Sequence, residues 1–539
     1  MVRWPDSTLF EGVADVADQH AERVALHVAG GTITYADLIE RARRVSRGFA
    51  RLGIESGDIV AVWLSNRPEW VVCHLALSRL GAAMVAVNTR YRTHELEYML
   101  RDSGARALVT ERTFLDNDYH AMLAEVVPAI RTADPAGFDP DTIPDLEAVV
   151  SLDPEPEYSA LRDYSTLSDG AGPSVDAAGG PEDPVAVFYT SGTTSDPKGC
   201  LQPSRSLLNH SYNDGEYLDV TSTDTTVATL PFCGVWGYNL LFSALTHGAS
   251  IAVPTHFEPA RTLAAIEEHD VSYLGATAAM VRRMLDHESF TSDRVRSVTR
   301  AVVAFLGGGF DEADFERFEA GFDCPFVQPY GSSEGNSMMF VGDPAAPMAH
   351  RKRVGGPLVS DEIETKIVDP ETREELPAGE QGELAFRGYN RFLRYLGKPE
   401  ATEAAVDDAG WFYTGDLCTI DADGIHEYHA RLDDALRTRG FLVAPEEIER
   451  AIDGLDGVDR SQVVGAPHSR HGEVPVAFVR ADGDLDVGRL ETALADEVAD
   501  YKVPAAIEIV DDFPTTEGPN GVKIRKTELR DRAAALVEA

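Results

Sequence analysis

The chain has 539 residues, too many for one ordinary domain, so a large domain with a smaller companion is expected. Its 48 Lys and Arg against 90 Asp and Glu leave a net charge of -42, which repels nucleic acid and anionic lipid surfaces rather than binding them. The bases are overwhelmingly arginine, and so many hydrated carboxylates with so little lysine point to a salt-rich cytoplasm, where screening removes much of the self-repulsion.

The N-terminus "MVRWPDSTLFEGVADVADQH" carries acids and no long apolar core, so neither a signal peptide nor an integral membrane segment is expected. Cys73, Cys200, Cys233, Cys324 and Cys418 are scattered without paired spacing, which argues for reduced thiols and against a zinc site. From Gly57 the text "GDIVAVWLSNRPEWVVCHLALSRLGAAMVAVN" reads strand, helix opened near Pro68, strand. Residues 151 to about 183, rich in Asp, Gly, Pro and Ser, read as a surface connection. The rhythm resumes with strands in "VAVFYT", "TVATLPF", "SIAVPT", "VSYLGAT" and "AVVAFLGGG", separated by helices in "PARTLAAIEEHD", "AAMVRRMLDHE" and "DEADFERFEAGFD".

Two such blocks predict an α/β protein whose large N-terminal domain holds two parallel-rich sheets wrapped by helices. A β subdomain follows. Past Ala430 the elements shorten, and "RSQVVGAPH", "PVAFVRAD", "VGRLETALADEVAD" and "AAIEIVDDFP" read as a small α+β unit. The boundary is placed at Leu432 to Asp434, giving residues 1–432 and 433–539.

Five stretches could carry chemistry. The loop after "VAVFYT" reads "YTSGTTSDPKG", and backbone N–H groups of a Gly/Ser/Thr loop can form an anion nest, with hydroxyls from Thr190, Ser191, Thr193 and Thr194 and charge from Lys198. It is no Walker sequence, since Lys198 precedes Gly199, and alone it would pass for a polar turn. In "QPYGSSEGN", Tyr330 offers an aromatic face, Ser333 a hydroxyl and Glu334 a hard oxygen ligand suited to Mg²⁺ carried by a nucleotide. The same residues spell the Gly-x-Ser-x-Gly elbow of a serine hydrolase with Ser333 as nucleophile, a reading that requires a helix directly after the serine. In "GWFYTGDL" Asp416 could accept both hydroxyls of a ribose. "ARLDDALRTRGFLVAPEEIE" sets Arg431 before an acid pair and Gly440 before a strand-like run. "GPNGVKIRKTELR" puts Lys523 on a loop entering the last helix, and with "RTRG" it gathers cations in the terminal unit, where anionic substrates would need screening.

In their order and spacing these stretches resemble the adenylate-forming superfamily, in its acyl-CoA synthetase branch, over nearly the whole chain from Thr34. The resemblance implies ATP-dependent ligation of a fatty or aromatic acid to coenzyme A through an acyl-adenylate, with ATP, Mg²⁺ and CoA required. A ligase that loads a carrier protein is the alternative, and a homodimer is left open. By the resemblance, Thr190, Ser191, Gly192, Thr193, Thr194 and Lys198 form the phosphate loop, with Thr190 and Glu334 toward Mg²⁺. Gly307, Gly308 and Gly309 lie beside adenine and the acyl pocket, whose wall takes in Phe232, Trp236 and Tyr238. Tyr330 stacks on adenine, Gly331 belongs to the same motif, and Ser333 bonds the phosphate. Asp416 and Arg431 take the ribose, and Asp433 is the hinge of a mobile C-terminal domain. That domain presents Lys523 to the carboxylate and α-phosphate in one orientation and the Gly440 segment to the thiol channel in another. The chain departs from the family pattern at Ser195, Gly234, Ala430 and Val522.

Overall fold

The computed structural model describes the chain except residues 1, 2, 174, 191–196, 306–311, 439, 440, 469–471, 482, 484, 499–501, 519, 520 and 539. An eight-stranded sheet runs in the order Arg394–Tyr395, Gly199–Pro203, Pro184–Tyr189, Ala83–Ala86, Ile59–Trp63, Ala107–Thr110, Ala148–Ser151, Arg162–Asp163. From Pro184–Tyr189 onward the pairs are parallel, while Gly199–Pro203 turns back antiparallel and Arg394–Tyr395 is antiparallel to it at the edge. The strand–helix–strand unit after Gly57 is there: Pro68 opens the helix Pro68–Leu80, and Gly81, at φ +73, ends it. Trp70, Val71, Cys73, Leu75 and Leu77 on that helix are all fully covered, as expected for a helix packed on several sides.

The second sheet joins Thr225–Val227, Ser250–Ala252, Val24–Val28 and Gly31–Thr34. Beside it lie the parallel strands Tyr273–Thr277, Arg300–Ala304 and Phe326–Val327, with Ser272 N donating to Thr225 O at 2.8 Å across the seam. A five-stranded antiparallel sheet, Gly355–Gly356, His426–Arg431, Phe412–Ile420, Gly382–Gly388 and Ile363–Val368, forms the β subdomain.

Past Arg431 a separate sheet pairs Leu436–Thr438, Phe441–Val443, Val458–His468, Gly472–Ala481 and Ala506–Ile509. Strand alternation splits its core: Val463, Ala477 and Val479 pack with Ile448, Ile452, Leu490 and Leu494, whereas Val464, Val476 and Phe478 pack with Leu529 and Ala533. Helix Lys526–Glu538 therefore covers the opposite face from Pro445–Asp453 and Val487–Glu497.

Residues 151–183 are not merely a surface connection. Val150 pairs with Arg162 in the edge strand, Tyr158, Ala160, Leu161 and Leu167 are buried, and a Cβ on Gly48 would meet Leu167 O at 2.4 Å. The turn-rich composition hid a few apolar residues that are enough to dock the segment. The strand in "TVATLPF" also stops at Val227.

Candidate active site

The Gly/Ser/Thr loop closes an antiparallel hairpin in which Tyr189 faces Gly199. Ser191, Gly192, Thr193, Thr194 and the departure Ser195 lie outside the described residues, but the stem is explicit. Thr190 N donates to Lys198 O at 2.9 Å, and Lys198 N donates to Thr190 Oγ1 at 3.3 Å. Helix Thr93–Ser103 grips both arms, with Tyr98 Oη donating to Pro197 O at 2.8 Å and Tyr189 Oη donating to Asp102 at 2.9 Å. Lys398 Nζ adds a bond to Asp102 at 3.2 Å. Sequence reasoning missed all three of Tyr98, Asp102 and Lys398, because their side chains meet only through the fold.

The "YGSSEG" run is a second hairpin, Pro329–Ser332 against Ser337–Val341. A strand follows Ser333 rather than a helix, so the hydrolase elbow is not formed and Ser333 is not set up as its nucleophile. Gly331 is demanded by packing, since a Cβ there would sit 1.4 Å from Ser337 O. Asn336 and Ser337 adopt φ +61 and +79, an unfavourable conformation for side chains unless held. Three buried amides hold it: Asn239 Nδ2 donates to Asn336 O at 2.6 Å, Asn336 Nδ2 to Asn390 O at 3.1 Å, and Asn390 Nδ2 to Gly335 O at 3.0 Å. Glu334 at the tip accepts a bond from Tyr395 Oη at 2.7 Å. A carboxylate so held suits Mg²⁺ arriving with a nucleotide, which binds through one or two carboxylates plus phosphates.

Asp416 and Arg431 are cross-strand partners in the β subdomain, so the ladder itself sets the pair. Arg431 Nη1 donates to Asp416 Oδ1 at 2.9 Å, and Tyr330 Oη donates to Asp416 Oδ2 at 2.6 Å. Burial pushes the Asp416 carboxyl up to about 6, with Arg431 and Tyr330 pulling the other way and the Glu334 charge adding to the rise. Gly415, at φ +68, passes its N–H to Glu383 at 2.8 Å and makes the sharp approach to Asp416. The Tyr330 ring stacks on Phe340 at 4.4 Å and on Tyr428 at 5.5 Å and is 7% exposed. Its phenol orients Asp416.

Of the expected acyl wall, Gly307, with Gly308 and Gly309, lies outside the described residues. Tyr238 and Phe232 sit in the packed core, where Tyr238 Oη meets His74 Nε2 at 3.0 Å and Phe232 tilts against Trp70 at 5.6 Å. Burial pushes His74 down to about 3, so the ring is neutral. Both side chains are buried in that core. Half-buried Trp236 has an indole N–H with no hydrogen-bond partner among the described residues. At Gly234 the backbone is extended, φ -95, and a Cβ would find Pro231 O at an ordinary 3.6 Å, so glycine is not required there.

In the terminal unit, Gly440 and the Lys523 side chain lie outside what is described. The backbone puts Lys523 opposite Thr516 in a two-stranded ribbon, Thr515–Gly518 with Gly521–Ile524. Asp433 O accepts a bond from Arg530 Nη2 at 3.0 Å, and Asp434 accepts another at 2.6 Å, tying the expected hinge to the last helix.

The model of the AMP-binding enzyme family matches residues 13–396, and that of the AMP-binding enzyme C-terminal domain matches 447–518. The chain belongs to this adenylate-forming family of AMP-binding enzymes. A putative acyl-CoA synthetase, YngI, of Bacillus subtilis is 28% identical over 98% of both chains. A feruloyl-CoA synthase of Amycolatopsis is 30% identical over 94% of this chain and 95% of its own. The crystal structure of ATP-bound MatB from Rhodopseudomonas palustris superposes with a TM-score of 0.82 at 26% identity, covering 98% of this chain and all 100% of that one.

Proposed function

We propose that the chain joins a carboxylic acid to coenzyme A through an acyl-adenylate, releasing pyrophosphate in the first step and AMP in the second. One observation carries this reading. Buried Asp416, held by Tyr330 and Arg431, lies within electrostatic reach of Glu334, and the Glu334 hairpin is bonded to the edge strand beside the Gly/Ser/Thr loop.

Asp416 accepts the ribose hydroxyls while Arg431 fixes its rotamer. The loop from Thr190 to Lys198 cradles the distal phosphates, and Ser333 bonds phosphate rather than acting as a nucleophile. Glu334, with the Thr190 hydroxyl, would hold Mg²⁺, which when bound neutralises charge on the transferring phosphate. A carboxylate oxygen of the acid attacks the α-phosphorus and the bond to pyrophosphate breaks, with Lys523 of the terminal unit stabilising both anions. After the unit turns about Asp433, dividing the chain into 1–432 and 433–539, the CoA thiol sheds its proton to solvent. Its sulfur attacks the acyl carbon, and the bond to AMP breaks.

The relatives' printed names, an acyl-CoA synthetase and a feruloyl-CoA synthase, support a fatty or aromatic acid and CoA as acceptor. Five unpaired, buried cysteines support a reducing cytoplasm. Among the described residues no helix is long and apolar enough to cross a membrane. The charge of -42 supports a salt-requiring protein, and full stability in dilute buffer would reject that part.

The test is a panel of carboxylic acids, from short-chain to long-chain to aromatic, in high salt with ATP, Mg²⁺ and CoA. Acid-dependent exchange of pyrophosphate into ATP, followed by CoA-dependent AMP release, is expected. Exchange without CoA consumption would instead indicate a carrier protein, and no exchange with any acid would overturn the reading.

A further inference from the structure

The edge strand Arg394–Tyr395 and its flanks touch both hairpins of the site at once. On one side Leu393 N donates to Leu201 O at 2.9 Å and Leu396 N to Gly199 O at 2.8 Å, with Tyr395 opposite Cys200 in register. That is the strand leaving the phosphate loop. On the other side Phe392 N donates to Glu334 O at 2.8 Å while Tyr395 Oη donates to Glu334 Oε1 at 2.7 Å. Glu334 is thus fixed through backbone and side chain by residues three apart in the same segment. The Tyr395 ring also lies 5.0 Å from Lys198 Nζ, within cation–π range. It is 5% exposed, its backbone N–H donates to Thr402 Oγ1 at 3.0 Å, and its ring packs on Phe392 at 4.8 Å, so it has little freedom to turn.

We propose that Tyr395 is a positioning residue of the ATP site: its phenol aims the Glu334 carboxylate and its ring seats the Lys198 ammonium, coupling metal ligand to phosphate loop through one side chain. The physical logic is pre-organisation. Glu334 and Lys198 carry opposite charges that must point at the same polyphosphate; Gln202 Nε2 donates to Ser333 O and joins their hairpins, but among the described residues no ion pair joins the two charges themselves. A neutral side chain between them can hold each without joining them in an ion pair that would have to break when nucleotide enters. A carboxylate already aimed loses less rotamer freedom on taking up a cation.

The inference rests on the reading of Glu334 as the Mg²⁺ carboxylate, so the experiment separates the two. In the full chain, ATP binding is followed by calorimetry across a Mg²⁺ series, and Mn²⁺ bound with nucleotide by paramagnetic resonance. Tyr395→Phe keeps the ring and removes the phenol, and a bond to a charged group supports a rise of about tenfold in the Mg²⁺ midpoint. Metal-free ATP affinity, the KM for the acid and the melting temperature should hold. Tyr395→Leu should in addition weaken metal-free ATP binding severalfold, through Lys198. In a Glu334→Gln background Tyr395→Phe should move the midpoint no further, because the carboxylate it acts through is gone. A wild-type midpoint in Tyr395→Phe would overturn the proposal. So would equal shifts in metal-free ATP affinity, acid KM and midpoint, which mark a general packing role. Wild-type ATP binding indifferent to Mg²⁺ would remove the Glu334 reading and this inference together.

Discussion

The proposed ribose end of the site and the arm that carries Lys523 are built in opposite ways. Asp416 and Arg431 face each other across a five-stranded sheet, Asp416 is 4% exposed, and Tyr330 reaches it from a third strand stacked on Phe340. Lys523 lies on a ribbon whose two strands, among the described residues, pair only with each other, entered from buried Phe513 and left through Arg525, whose N–H donates to Pro514 O at 2.8 Å. In the proposed function the wall recognises a nucleotide and is cross-braced, and the arm arrives and leaves and is attached at its root. The contrast teaches where each kind of mutation should act: on binding at the wall, on one half-reaction at the arm.

The hardest test removes the arm's charge. Lys523→Ala should slow acid-dependent pyrophosphate exchange about 10²- to 10³-fold, the usual effect of losing one donor to developing charge. Thioester formation from supplied acyl-adenylate should change less than fivefold. Asp433→Pro should do the reverse, because proline fixes φ where the backbone must swing. Measuring both half-reactions in both variants checks this, and equal damage to both steps in both variants would reject the alternation.

At the wall, Asp416→Asn should weaken ATP binding about tenfold, read by calorimetry, with little change in the balance between half-reactions. It should also alter the pH profile. Burial raises Asp416 from 3.8 to about 6, so its ionised form is disfavoured in the folded protein. The stability it contributes is full below pH 3.8 and is lost as pH rises through about 6, an effect of about 3 kcal/mol. Unfolding free energies from pH 4 to 7 should therefore fall more in wild type than in Asp416→Asn. ATP affinity of wild type should climb over the same interval as the carboxylate ionises.

The same contrast explains what the sequence could disclose. Asp416, Arg431, Glu334 and Lys198 were legible because glycines, hydroxyls and charges stand in short runs with a fixed order. The antiparallel pairing of Asp416 with Arg431 was not, since a spacing of fifteen residues carries no register. Tyr330 was legible as a residue but its surroundings were not: the rings of Phe340 and Tyr428 that stack on it come from other strands. Tyr395, Asn239 and Asn390 left no local signal, as each looks like an ordinary strand, helix or loop residue until folding sets it under the Glu334 hairpin. The segment 151–183 failed for the opposite reason, its turn-forming residues outweighing the few apolar ones that dock it.

The smallest expected effect lies at the joint between wall and arm. Arg530 Nη2 spans Asp433 O and the Asp434 carboxylate, while Lys526 Nζ sits 3.8 Å from Asp434 and 3.7 Å from Glu446. Such partly exposed ion pairs contribute up to about 1 kcal/mol each, and less in high salt. Because both bases belong to the last helix, they hold the hinge to the arm rather than to the wall, and the hinge should turn with the arm as one piece. Arg530→Ala should therefore leave ATP affinity alone and change the ratio of the two half-reaction rates by less than about fivefold, most at low salt. A loss of ATP affinity in this variant, matching that of Asp416→Asn, would show that the joint braces the wall and that the two regions are not independent.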